Sequence, residues 1–138
     1  MGIESSFRER ENSMRVGGGR IRGKFGAKRT EVHGRSFASK LEAAVYMILL
    51  LREKAGEISD IECQVQVALS AAGIIYKPDF RFETPAGPVF AEAKGFDTPE
   101  WRLKLRLWKA YGPAPLEIWR GSATKPVLTE TVKTLGMK

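Results

Sequence analysis

The sequence predicts an α/β domain in which a mixed four-stranded sheet is flanked by helices. Three observations lead there. A long apolar helical pattern, "SKLEAAVYMILLLREKAG", comes first; strand-like stretches follow in close succession; and a capped helical pattern, "TPEWRLKLRLWKAYG", separates them from a further strand. At 138 residues the chain is long enough for one well-filled core and short for two.

Residues 1–34 carry Gly17, Gly18 and Gly19 in a row, many Arg and Lys, few aliphatic residues and no sustained period. They read as a flexible basic N-terminal arm, leaving 35–138 as the domain. The first helix runs from about Ser39 to Ala55, with Gly56 as its left-handed C-cap and Leu41, Val45, Ile48 and Leu51 as its innermost stripe. Apolar residues spread so far around it that the helix must be largely buried, so a charged Glu42 near its start needs an explanation.

"IECQVQVAL" alternates, with Ile61, Cys63, Val65, Val67 and Leu69 on one face and Glu62, Gln64 and Gln66 on the other. A second strand runs from about Ile74 to Phe82, placing Tyr76, Phe80 and Phe82 opposite Lys77, Asp79 and Arg81. After the turn "ETPAGP" a third strand covers Val89 to Lys94. Thr98 caps the next helix, Pro99 opens it, and Trp101, Leu105 and Trp108 share a face. "LEIWRG" is a short fourth strand and "TKPVLTETVKTLG" a terminal helix.

A net charge of +7 favours a polyanionic partner. The longest apolar run, Ala43 to Leu51, is too short to span a bilayer, and "MGIESSFRER" lacks the apolar stretch of a secretory signal. The single cysteine, Cys63, excludes an internal disulfide, fits a reducing cytoplasm and reads as a small core residue.

The chemistry concentrates in "YKPDFRFETPAGPVFAEAKGF". Alternation puts Glu92 and Lys94 on the same side of the third strand. Antiparallel pairing through the Pro-rich turn brings Asp79 and Glu92 face to face, where two carboxylates repel unless a cation bridges them. Mg²⁺, which prefers oxygen ligands and keeps several waters, suits such a partial cage, and an adjacent Lys can orient a metal-bound water for attack on a phosphodiester.

Pro78-Asp79 followed by Glu92-Ala93-Lys94 resembles the PD-(D/E)xK nuclease superfamily, whose core has the same order of elements and an acid on its first helix, matched by Glu42. From Arg35 to Trp119, "SKLEAAVYMILLLREKAGEISDIECQ", "YKPDF" and "EAKGFDTPEWRLKLRLWKA" are similar to a small phage-encoded family of unknown function related to Holliday-junction resolvases. The resemblance implies a restriction-endonuclease-like core and a Mg²⁺-dependent endonuclease for branched DNA, with Mn²⁺ able to substitute. It implies a homodimer in the cytoplasm of a bacterial host. Asp79, Glu92, Glu42 and the Ala93 carbonyl would hold metal and Lys94 would position or activate the water. Arg35, Lys40, Lys77, Arg102, Lys104, Arg106 and Lys109 become candidate phosphate contacts.

Other readings compete. Ser39 and Glu42 fit a capping box; Asp79 and Lys94 fit a cross-strand salt bridge; Gln64 and Gln66 could reach the site or simply face solvent. His33 reads as solvated, and Trp101, Trp108 and Trp119 as core rather than base-stacking platforms. A non-catalytic DNA-binding protein, or a nicking or single-strand nuclease, are the alternatives at the level of function.

Overall fold

The computed structural model describes residues 30–135. The chain begins with a hairpin of β1 (Thr30–Val32) and β2 (Arg35–Phe37), turned by His33 and Gly34 at φ 51° and 80°. Positive φ at both central residues marks the primed two-residue turns whose twist matches that of the flanking strands. The expected arm boundary before Arg35 therefore falls inside a folded hairpin; the rest of the arm, 1–29, lies outside the described residues. His33 is exposed, as expected.

Helix α1 (Lys40–Lys54) follows, capped by Ser39, whose Oγ accepts the Glu42 N–H at 3.1 Å. It ends at Gly56, φ 82°, a conformation open to glycine without strain. The expected inner stripe is rotated. Ala43, Val45, Tyr46 and Leu49 are buried, whereas Leu51 is 65% exposed. A helix apolar nearly all round does not itself select its inner face; the sheet does.

The main sheet has five strands, one more than expected, in the order β3 (Ser59–Cys63), β6 (Phe80–Thr84), β7 (Gly87–Ala93), β8 (Leu116–Ser122) and β9 (Lys125–Val132). Only β7 and β8 run parallel, joined by the crossover helix α2 (Pro99–Tyr111). The fifth strand replaces the predicted terminal helix: within "TKPVLTETVKTLG", Lys125–Val132 form β9, turned back on β8 in the register Ser122↔Lys125. Its Thr and Val content favours a strand, and as an edge strand it buries too little to show alternation.

Two further expectations change. "IECQVQVAL" is two strands, because Gln64 takes φ 58° and ends β3. Beyond it β4 (Val67–Ala68) pairs with β5 (Ile75–Tyr76) in a separate small ribbon. The second expected strand is likewise split into β5 and β6 by Lys77, Pro78 and Asp79. Tyr76 accordingly leaves the face of Phe80 and Phe82.

The sheet divides the interior, since adjacent residues Phe90 and Ala91 enter different clusters. On one side α1 and the first hairpin pack Phe37, Val45, Tyr46, Leu49, Phe80 and Phe82 together. On the other, Trp101 and Trp108 of α2 meet Tyr76, Phe90, Leu116 and Ile118. All three tryptophans are core residues. No helix among the described residues is long and apolar enough to cross a membrane.

Candidate active site

The start of α1, the end of β3, the start of β6 and the end of β7 converge at one rim of the sheet. Glu42 enters from α1 and is 8% exposed. Its Oε1 accepts the Ala38 N–H at 3.3 Å, one residue before the N-cap rather than at it. Its Oε2 accepts from the Gln64 amide at 3.4 Å. The expected capping box is therefore shifted by one residue: Glu42 ties down the chain just before the helix with one oxygen and meets Gln64 at the rim with the other.

Asp79 and Glu92 interlock across β6 and β7. The Asp79 N–H donates to Glu92 Oε1 at 3.2 Å, and the Ala93 N–H donates to Asp79 Oδ2 at 2.8 Å. Glu92 is 6% exposed and also accepts the Tyr76 hydroxyl at 2.8 Å. Lys94 comes to 3.4 Å from Glu92 Oε2, two positions along the strand. The expected alternative of an Asp79–Lys94 bridge is thus replaced by a Glu92–Lys94 pair. The Lys94 ammonium also lies 4.6 Å from the centre of the Trp101 ring, which fixes its height above the sheet.

Gln64 completes the cluster. Its N–H donates to the Asp79 carbonyl at 3.0 Å, and its side-chain Nε2 stands 3.2 Å from Asp79 Oδ1 as well as 3.4 Å from Glu42 Oε2. The left-handed φ that permits this is unfavourable for a non-glycine residue by about 1 to 2 kcal/mol, and such strain collects at functional sites. The sequence leaves Gln64 open between the site and solvent and places Tyr76 on the same face as Phe80 and Phe82. The signal for Tyr76 was its place two residues before Pro78, a residue that interrupts ladder pairing.

These contacts set the electrostatics. Burial, reinforced by the charge of Glu42, pushes the Asp79 carboxyl up to about 7 against the opposing Ala93 N–H, Gln64 amide and Lys94. Burial and the charge of Asp79 push Glu92 up to about 7, opposed by Lys94 and Tyr76. Burial beside Glu92 raises the Tyr76 hydroxyl, which therefore stays protonated as a donor. Cys63, half-buried against the first core, is raised to about 11 chiefly by burial. It is a neutral thiol at physiological pH.

Among the described residues, no three His, Cys, Asp or Glu side chains stand close enough to form a ready-made metal cage. Glu42, Asp79 and Glu92 are held by amide, hydroxyl and ammonium donors instead. The donor set nevertheless fits a hard divalent cation: all three side chains are carboxylates, and burial, reinforced by neighbouring negative charge, raises two of them toward neutrality. A cation there would offset that charge.

The expected phosphate contacts fall into two groups. Lys40, Lys77, Arg102, Arg106 and Lys109 are exposed, and the last three recur at helical spacing along α2. Lys104 is engaged by the Ile75 carbonyl at 3.2 Å, tying α2 to β5. Arg35 lines a pocket of about 240 Å³ beside the rim, with Phe37, Glu42, Cys63 and Gln64.

The chain belongs to the DUF1064 family, a protein family of unknown function, whose pattern matches residues 22–120 and so contains every residue of the rim. No curated protein matches the chain.

Proposed function

Within that family, we propose that this chain is a divalent-metal-dependent DNA endonuclease of the PD-(D/E)xK type, on a restriction-endonuclease-like core, cutting branched DNA. The observation that carries the reading is the rim: Asp79 and Glu92 interlocked across β6 and β7, Lys94 against Glu92, and Glu42 joined to Asp79 through Gln64. A salt-bridged surface would leave its carboxylates in the ordinary range. Here burial and mutual charge raise two of them, as at sites built for catalysis.

Asp79, Glu92 and Glu42 would hold Mg²⁺ or Mn²⁺, with the Ala93 carbonyl as a further ligand. A bound ion would supply Lewis-acid stabilisation of the phosphoryl oxygens and a lower pKa for a coordinated water. The chain's own groups do the rest. Lys94, steadied by the Trp101 ring, positions the attacking water by hydrogen bonding. Tyr76 holds Glu92 in place through its hydroxyl. The Ala93 N–H fixes one oxygen of Asp79 and leaves the other turned to the rim.

The exposed cations along α2, with Lys40 and Lys77, extend a positive surface that would track the phosphate backbone. Cutting a four-way junction needs two nicks on opposed strands, hence a homodimer supplying two centres, working in the cytoplasm of a bacterial host. The test is incubation of labelled four-way junction, flap, duplex and single strand in Mg²⁺, Mn²⁺ or EDTA. Metal-dependent cutting with a preference for the junction supports the full reading. Preference for single strand moves the substrate, and tight binding without cutting on any structure overturns catalysis.

A further inference from the structure

Gln64 stands with its side-chain amide between two carboxylates of the rim. Its backbone accepts an unfavourable φ of 58°, its N–H continues the ladder onto Asp79, and its Nε2 faces one oxygen of Glu42 and one of Asp79. Two carboxylates that share a donor are two carboxylates that could share a cation. The position between them is the one where a shared ion relieves their repulsion most. An amide NH₂ offers a partial positive charge there, enough to hold the pair together and weaker than Mg²⁺.

We propose that the Gln64 amide is the metal-free occupant of the position between Glu42 and Asp79, and that a divalent cation binds by displacing it. This inference rests on the metal-centre reading and adds its regulation. It accounts for a donor set suited to a cation without an assembled cage: the fold carries a neutral stand-in between two of the ligands. Displacement needs room, and Gln64 also lines the pocket of about 240 Å³ shared with Arg35 and Cys63, so its side chain has space to turn into without disturbing the core. An interaction made only in the metal-free state opposes metal binding by its full strength, by linkage.

The consequence has a sign that a merely supporting residue would not give. If Gln64 only shaped the site, deleting its side chain would weaken cation binding. If it occupies the cation position, deletion tightens binding. Gln64→Gly removes the amide while relieving the positive φ, which protects folding. Gln64→Asn keeps an amide, tolerates the same φ, and is too short to reach both carboxylates.

The experiment is titration of the full chain with Mn²⁺, followed calorimetrically and by the loss of the free-ion paramagnetic resonance signal, for wild type and both variants. Gln64→Gly is expected to bind Mn²⁺ about tenfold more tightly than wild type, equivalent to about 1.4 kcal/mol. Gln64→Asn should shift in the same direction by a smaller factor. Wild-type binding with equal or weaker binding in both variants overturns the displacement proposal and leaves the metal centre standing. No Mn²⁺ binding by wild type or either variant overturns both.

Discussion

In the absence of metal, raising the pH from about 5 to about 8 should destabilise this protein, and Asp79→Asn should reduce that dependence. Asp79 and Glu92 are both raised to about 7 in the folded state, while carboxylates in an unfolded chain titrate near 4. Between those values the folded protein binds more protons than the unfolded one, so stability is greatest at low pH within this window and falls as pH rises through about 7. Ionisation delayed from about pH 5 to about pH 7 corresponds to about 3 kcal/mol for one isolated group, at about 1.4 kcal/mol per pH unit. The charge of Asp79 is itself a cause of the Glu92 shift, so the two contributions are not independent, and the partial exposure of Asp79 screens its share. The expected loss is therefore about 2 kcal/mol. Urea unfolding in EDTA at the two pH values measures it. Equal stability at both, or greater stability at pH 8, would refute the claim that burial and neighbouring negative charge hold these carboxylates up to about 7.

Tyr76→Phe removes the buried hydroxyl that donates to Glu92 and should lower metal-free stability at pH 8 by about 1 to 3 kcal/mol in the same assay. Trp108→Ala empties a fully buried position packed edge-on against Tyr76 and Phe90; thermal or urea unfolding should show a loss of about 3 to 5 kcal/mol. Combined replacement of Arg102, Arg106 and Lys109 by Ala should weaken DNA binding and reduce the slope of log affinity against log salt by about one for each phosphate no longer neutralised. A filter-binding series over salt concentration reads both.

What the sequence disclosed depends on which interactions are local. The limits of both helices were legible to within a residue or so because their signals sit in the chain itself: Ser39 and Gly56 at the ends of α1, Thr98 and Pro99 at the start of α2. Glu92 and Lys94 were legible as neighbours because strand alternation is local too. The break at Gln64 was not, since the alternation of "IECQVQVAL" continues across it while the chain turns to meet Asp79. Nor was the face of Tyr76, which depends on Pro78 ending one ribbon before the main sheet begins. β9 was not legible as a strand: Val127, Leu128, Val132 and Leu135 fit a helical spacing, and an exposed edge strand shows no clear alternation. It pairs with β8 across the turn at Ala123 and Thr124, and beside that turn Gly121, φ 94°, lets the strands approach closely: an added Cβ would lie 2.5 Å from the Lys125 carbonyl oxygen. The carboxylate partners of Gln64 needed the folded chain to be seen.

As proposed, the rim is a metal-dependent centre in which Lys94 acts on the attacking water. Single-turnover cleavage of labelled four-way junction in Mg²⁺, with wild type and Lys94→Ala both at saturating protein, tests it most directly. Cutting by wild type that stops in EDTA, with a loss of about 100-fold or more in Lys94→Ala at undiminished DNA binding, is the predicted result. Equal rates for the two proteins, or cutting that persists in EDTA, would contradict it.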